Sequence, residues 1–441
     1  MDFNFYPTII TETIVKAASP LVQSCVLPVS NLDLLAGRAP VTYLYVYCKL
    51  TVDCSSSFIE ILKSSLATAL NHYHPFAGQI VLNSETGEPE IVCNNHGAKV
   101  VEASIDITLA SLDFHDLNSS LGRLVSANHD FPFTLQITKC SCGGVAVSFT
   151  FDHLLGDGSS FGKFLKSWCE IARKKSISFV PDHRRILPAR SPPTYDNSLD
   201  DTFICYKMVD SFPMLTTDSH LRRLYHVDAM NIDKLQRLSG KRTKIEAFSA
   251  YVWKIMSKAI GESETHCKMG WLVDGRRRFN KEAGDMFDYY VGNVLSMAVG
   301  EASVEELKRG SLTDIARVVH EAIVKTTNAT HFQDLIDWVE CHKPGLMLAK
   351  ILLGHEGPCL VLSSGREFPV AELDFGYGSP VLGTLCPPIS KIGAGYMDQR
   401  ESAEGDGSWV VSAMIWPAFS EALESDPDHV FQPMTAAHLG L

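Results

Sequence analysis

The stretch SFTFDHLLGDGSSFGKF, Ser148 to Phe164, is where the reading of this chain turns. Residues 144–151 are rich in Val, Phe and Thr and read as a strand. Residues 152–158 hold two glycines and read as a turn. From Ser159 the spacing becomes helical, with Phe161, Phe164, Leu165, Trp168, Ile171 and Ala172 on one face. His153 therefore stands at a strand end ahead of a helix, a place where rigid elements hold a loop residue. His153 and Asp157, four residues apart, suit a general base and a partner. Gly158-Ser159-Ser160-Phe161-Gly162 fits the G-x-S-x-G pattern of a nucleophile elbow. Both patterns imply acyl chemistry, with different reacting atoms.

An elbow serine sits on a sharp turn directly after its strand. Here the whole segment Asp152–Gly158 intervenes, and Ser160 falls in the first helical turn, where serine is a common helix-start residue. A triad would still need a late acid and histidine, which SDPDHV (425–430) offers as Asp426, Asp428 and His429. A serine esterase using Ser160 thus stays as an alternative. One histidine and one carboxylate are too few for a metal centre, so no metal is expected. Gly156 and Gly158 keep the turn slim, leaving the imidazole open to a substrate from the solvent side.

The chain has 441 residues and a formal net charge of −12. That length admits roughly two to three domains. The acidic balance disfavours nucleic acid and anionic membranes as partners, so a polyanionic ligand must meet a local basic pocket. There are 12 cysteines, none in a C-x-x-C, and they read as buried free thiols of a reducing compartment. No convincing signal peptide and no membrane span is visible. A cytoplasmic location is expected.

Strand-like and helical runs alternate. Residues 41–52 read as a strand, 56–73 as a helix, and 133–151 as two strands around a Gly-containing turn. The Pro-rich segment 176–201 breaks the pattern and reads as a crossover. Beyond it, Thr243 and Glu246 form a capping-box signature that opens a helix over 244–260. Residues 268–275 and 292–299 look like strands, and 312–326 like a helix. The result is an α/β protein in two halves with a groove between them, a favoured place for ligands.

His153-Leu-Leu-Gly-Asp157-Gly158 resembles the H-x-x-x-D-G motif of the plant BAHD acyl-CoA-dependent acyltransferases. The family's second motif, D-F-G-W-G, stands here as Asp374-Phe375-Gly376-Tyr377-Gly378. YHPFAGQI (73–80), VDGRRRF (273–279) and YVGN (290–293) are similar to further family segments, so the resemblance covers nearly the whole chain. It implies two chloramphenicol-acetyltransferase-like domains with the active site in a channel between them. They would be residues 1–180 and 216–441, joined by a crossover at 181–215, with a segment near 375–400 packing on the N-terminal half. A monomer is expected.

The resemblance also implies roles. His153 takes the proton of an acceptor hydroxyl and later protonates the departing thiolate, without an acyl-enzyme. Asp157 could orient the imidazole as a triad acid does. By resemblance it instead points away and pairs with an arginine, here Arg276. Asp374, Gly376 and Gly378 are structural, with Tyr377 in place of the usual tryptophan. The co-substrate is an acyl-CoA, and no permanently bound cofactor is expected. Lys241, Arg242 and Lys244, at a helix N-terminus, are candidate contacts for its phosphates. The acceptor is expected to be a small alcohol of phenylpropanoid type, receiving an acetyl or hydroxycinnamoyl group. An amine near Glu367 is the alternative. The shikimate and quinate branch carries arginine at that place, where Arg366 is one position off. Val294 replaces the cysteine typical of the anthocyanin branch.

Overall fold

The computed structural model describes residues 5–19, 23–48, 52–126, 130–207, 220–283, 287–365, 370–386 and 392–441. Two sheets organise it. The first is six-stranded, in the order Thr8–Val15, Ala98–Ile105, Phe133–Cys140, Val145–Asp152, Pro40–Tyr47 and Leu382–Leu385. Only Ala98–Ile105 and Phe133–Cys140 run parallel. The second is seven-stranded: Leu295–Ser303, His266–Asp274, Cys359–Ser364, Gly395–Glu401, Trp409–Ile415, Leu221–Val227 and Gln432–Pro433. Its strand Cys359–Ser364 runs parallel to both neighbours.

Each half buries an apolar core. In the first, helices Val52–His72 and Gly158–Ala172 lie together over the sheet. The second helix, which carries the sequence after His153 and is called here the motif helix, is seated by aromatic rings. Phe161 stacks on Phe151 at 4.1 Å and Phe164 on Phe76 at 4.5 Å between centroids. Such pairs add ~0.5–1.5 kcal/mol each beyond the area they bury. Phe151 is the last strand residue but one and Phe161 lies in the first turn of the helix, so this one stack fixes the angle of the turn carrying His153.

Several expected boundaries move. The strand expected at 292–299 begins only at Leu295, because the backbone of Gly292, Asn293 and Val294 is committed to residues of the first half. The crossover is not bare linker: Leu199–Thr202 is a helical turn, and Phe203–Tyr206 pairs antiparallel with Leu346–Ala349. The stretch after the D-F-G-Y-G motif divides. Leu382–Leu385 joins the first sheet beside Pro40–Tyr47, while Gly395–Glu401 returns to the second. Among the described residues no helix is long and apolar enough to cross a membrane.

Candidate active site

His153 opens a single 3-10 turn, His153–Leu155, at the end of strand Val145–Asp152. The Asp152 side chain caps that turn by accepting from Leu154 N. The imidazole is half-buried, and its Nδ1 lies 2.9 Å from Oδ1 of Asn293. The orientation of that amide follows from its other partners. Its Nδ2 lies 2.8 Å from Oδ1 of Asp33 and 2.9 Å from the carbonyl oxygen of His153. Both partners are acceptors, so the nitrogen must point at them and Oδ1 must face the ring. In the neutral ring the proton then sits on Nδ1, which leaves the lone pair on Nε2.

Asp33 is fully buried at the start of helix Asn31–Ala36. It accepts from Ser30 N and Oγ, and from the backbone and side chain of Asn293. Arg185 of the crossover pairs with it at 3.1 Å, also fully buried. The same guanidinium donates to the carbonyls of Leu154 at 2.8 Å and Leu155 at 2.5 Å. The turn behind the histidine is thus held by a buried charge pair. Four separate stretches of sequence supply the chain Arg185–Asp33–Asn293–His153.

Asp157 serves another purpose. It caps the motif helix by accepting from Ser160 N at 3.1 Å, and it accepts from Val294 N at 3.0 Å. Arg276 grips it with two parallel bonds, Nη1 to Oδ2 at 2.7 Å and Nη2 to Oδ1 at 2.9 Å, the geometry in which guanidinium and carboxylate bind most specifically. Burial alone would raise the carboxyl's pKa. The Arg276 charge and the hydrogen bonds outweigh it, and the group sits below the usual carboxylate range. Arg276 also donates to Asp274, to Ser160 Oγ and to the carbonyl of Gly292. Its own pKa is pushed up despite burial, by Asp157 first and Asp274 next. The imidazole and Asp157 have separate partners, so this carboxylate fastens the start of the motif helix to the second half.

The glycines of the turn also act inward. Gly156 is buried with φ +154, and a Cβ there would come within 2.7 Å of the Ser160 Cβ. Its bareness admits the motif helix, whereas the sequence reading had it making way for substrate. Gly158 is the first residue of the helix and half-buried. Ser160 is fully buried. Its Oγ donates to the Gly292 carbonyl and accepts from Gly292 N and Arg276. The proposed acid and histidine lie elsewhere: Asp426 bonds Tyr251 and Lys258, Asp428 pairs with Lys234, and His429 is exposed. The serine-esterase alternative is corrected accordingly, since this hydroxyl is a structural hub closed to substrate.

The second motif lies at the far end of the same helix, whose 15 residues span ~22 Å at 1.5 Å each. Asp374 Oδ1 accepts from Gly376 N at 2.7 Å and Gly378 N at 2.9 Å. Both glycines have φ near the left-handed side, +101 and +94, which other residues rarely adopt. Asp374 Oδ2 is 4.0 Å from Arg173, just past the helix end. Phe375 is buried edge-on against Trp168, and Tyr377 meets Phe58 edge-on at 5.5 Å. The loop is an aromatic plug in the first core.

Thr243 and Glu246 form the expected capping box, and His320 bonds the Glu246 carboxylate. A carboxylate therefore already occupies that helix end. Lys244 pairs with Asp233 at 3.3 Å. Lys241 and Arg242 make no ion pair with the described residues. Glu367 and Arg366 lie outside the described residues. Beside the His153 turn is a cavity of about 230 Å³, lined by Arg38, Pro40, Phe131, Phe151 and Asp152. Arg38 and Asp152 pair across it at 2.8 Å.

Sequence reasoning had passed over Asp33, Arg185 and the role of Asn293. The S-x-x-D spacing of Ser30 and Asp33 is a helix-start signature, and YVGN contained Asn293. Neither pattern says that its polar group reaches across the chain to a histidine.

His153, on the first half, thus has one ring nitrogen tied to Asn293 of the second half. The chain belongs to the BAHD acyl-CoA-dependent acyltransferases: a family model described as Transferase family matches residues 7–430. Anthranilate N-benzoyltransferase protein 1 of Dianthus caryophyllus is 32% identical over 383 residues, 81% of this chain and 82% of that one. Putrescine hydroxycinnamoyltransferase 3 of Oryza sativa subsp. japonica is 27% identical over 437 residues, 93% and 94% of the two chains. Omega-hydroxypalmitate O-feruloyl transferase of Arabidopsis thaliana is 27% identical over 389 residues, 82% and 81%. The fold matches the crystal structure of vinorine synthase with a TM-score of 0.73 at 19% identity, covering 97% of this chain and 99% of that one. It also matches TRI101 of F. graminearum, solved with ethyl coenzyme A, with a TM-score of 0.75 at 14% identity over 93% and 99%.

Proposed function

We propose that the protein transfers an acyl group from a coenzyme A thioester to the hydroxyl of a small, phenylpropanoid-type acceptor, with His153 as the base. The observation that carries this reading is the committed amide of Asn293, which keeps Nδ1 protonated and Nε2 able to receive a proton. The acceptor O–H gives its proton to Nε2 as its oxygen bonds the thioester carbonyl carbon. The carbonyl electrons move onto oxygen. On collapse the C–O double bond re-forms, the C–S bond breaks, and the sulfur takes the proton from Nε2. The products are the ester and coenzyme A thiol. Holding both substrates in one groove supplies much of the rate without an acyl-enzyme. Asp157 and Arg276 position the turn. Lys241 and Arg242 are free to meet coenzyme A phosphates.

A second reading, transfer to an amine, draws on two observations. Anthranilate, putrescine and agmatine are named in relatives at 27–32% identity. Asp152, next to His153, places a carboxylate on the cavity wall, and the distant ammonium of a diamine would take it by displacing its present partner Arg38. Tyrosol and tyramine share a skeleton and differ in the nucleophile. Each is incubated with acetyl-, benzoyl- and p-coumaroyl-CoA, and thiol release and product mass are followed. Ester from tyrosol supports the first reading, and amide from tyramine alone replaces it with the second. Absence of acceptor-dependent thiol release across a wider panel of alcohols and amines overturns both.

A further inference from the structure

We propose that Cys25, His74 and Cys93 form a binding site for one zinc ion, outside the catalytic groove. Cys25 begins strand Cys25–Leu27 and Cys93 ends strand Pro89–Cys93. The two are directly opposite in an antiparallel pair. His74 opens the 3-10 turn that follows helix Val52–His72. The two Sγ atoms and an imidazole nitrogen all lie within 4.8 Å of one another. Tetrahedral zinc, with Zn–S of ~2.3 Å and Zn–N of ~2.0 Å, sets its ligand atoms about 3.5–3.8 Å apart. Closing on an ion asks for small side-chain shifts from three segments already in place.

The donor chemistry selects the ion. Two thiolates neutralise a divalent cation, and soft sulfur with imidazole favours zinc over magnesium or calcium. Binding releases the two thiol protons to solvent. Cys93 is buried while Cys25 and His74 are half-buried. A cavity of about 310 Å³ lined by His74, Cys93, Asn71, Asn94 and Lys16 reaches the site. It gives the ion a path in and a water room at the fourth position.

An independent observation points to the same place. The ring of His183 lies 4.6 Å from that of His74. Its Nε2 donates to the carbonyl of His72 at 2.8 Å, which leaves the lone pair on Nδ1, and that atom is buried without a partner. A half-buried imidazole beside the first one, with a buried acceptor nitrogen left unsatisfied, offers a partner to a zinc-bound water. His183 stands two residues before Arg185, whose guanidinium holds the carbonyls behind His153. The ion would thus stiffen the support of the active-site turn.

The test uses the full chain, reduced and stripped of metal. Titration with Co²⁺ alone should produce a thiolate-to-cobalt charge-transfer band saturating at one ion per chain, and Zn²⁺ should abolish it. Cys25→Ser should lose the band while keeping its circular dichroism spectrum. The wild type is also alkylated with iodoacetamide, with and without Zn²⁺, so that the result does not depend on a variant folding. Zinc should slow modification of Cys25 roughly tenfold and leave the exposed Cys142 and Cys341 unaffected. The proposal is overturned by the absence of a charge-transfer band, by a band that persists in Cys25→Ser, or by equal alkylation of Cys25 in both conditions.

Discussion

The side-chain oxygen of Asn293 lies 2.9 Å from Nδ1 of His153, and it faces that nitrogen because its own NH₂ group is held by Asp33 and by the His153 carbonyl. One half of the molecule therefore sets the protonation pattern of a ring carried by the other. Removing the amide should cost turnover before it costs binding. Asn293→Ala is expected to lower kcat by about ten- to a thousand-fold, with KM for the acyl-CoA little changed and an altered pH–rate profile. A pure stability defect would lower the active fraction and leave the pH profile as it was.

His153→Ala should fold normally and lose acyl transfer by at least the 10²–10⁴-fold, roughly, that a positioned base contributes. Thiol release and thermal melting on the same sample check both parts. Normal turnover in a well-folded variant removes His153 from the mechanism.

Asp157 and Arg276 should behave as one unit. Breaking a buried pair from either side leaves an orphaned charge and typically costs about 3–5 kcal/mol. Asp157→Ala and Arg276→Ala should each lower the melting temperature, and the double variant should be far more stable than additivity predicts. Denaturant unfolding of the four proteins measures the coupling. A triad-type Asp157 would show lost turnover, a normal melting temperature and no coupling.

The same pair gives the protein an acid limit. The folded carboxyl of Asp157 lies below its unfolded value, near ~3.9. The native state then binds fewer protons than the unfolded chain, and its stabilisation is complete above the unfolded value and lost as pH falls through the folded one. Asp157→Asn should therefore be less stable than wild type at neutral pH, and the gap should narrow below pH ~4. A gap independent of pH would show that the carboxylate's charge is not what stabilises.

Ser160→Ala removes a hydroxyl that three buried groups use. It should destabilise by about 1–3 kcal/mol and retain most of its kcat. A fluorophosphonate probe should leave the wild-type serine unlabelled. Stoichiometric labelling at Ser160 would restore the esterase reading.

Local pattern carried much of the fold. The apolar face of the motif helix, the strand before it and the Thr243–Glu246 capping box all depend on neighbours in sequence, and each lies where periodicity or composition puts it. The ends of elements were less legible. Residues 292–294 have the composition of a strand, but their polar backbone is taken by Asp33, Asp157 and Ser160. Similarly, Gly156 looked like an opening for substrate and is a contact for Ser160. At the candidate site, motif residues could be named from the chain. Asp33 and Arg185 could not, because an ion pair buried across some one hundred and fifty positions leaves no spacing to read. No interval in the sequence signals that Cys25, His74 and Cys93 converge, since cross-strand register and a helix end bring them together.

The strand Leu382–Leu385 belongs by sequence to the second half and by hydrogen bonding to the first, and Ser412 of the second sheet bonds the Leu385 carbonyl. The molecule is thus stitched twice, once by the crossover and once by this borrowed strand. Severing the crossover by a protease would leave a nicked complex instead of two independent fragments, and a C-terminal fragment made alone would carry a strand with no sheet to complete. Held at two places, the two bodies cannot swing apart on a single hinge.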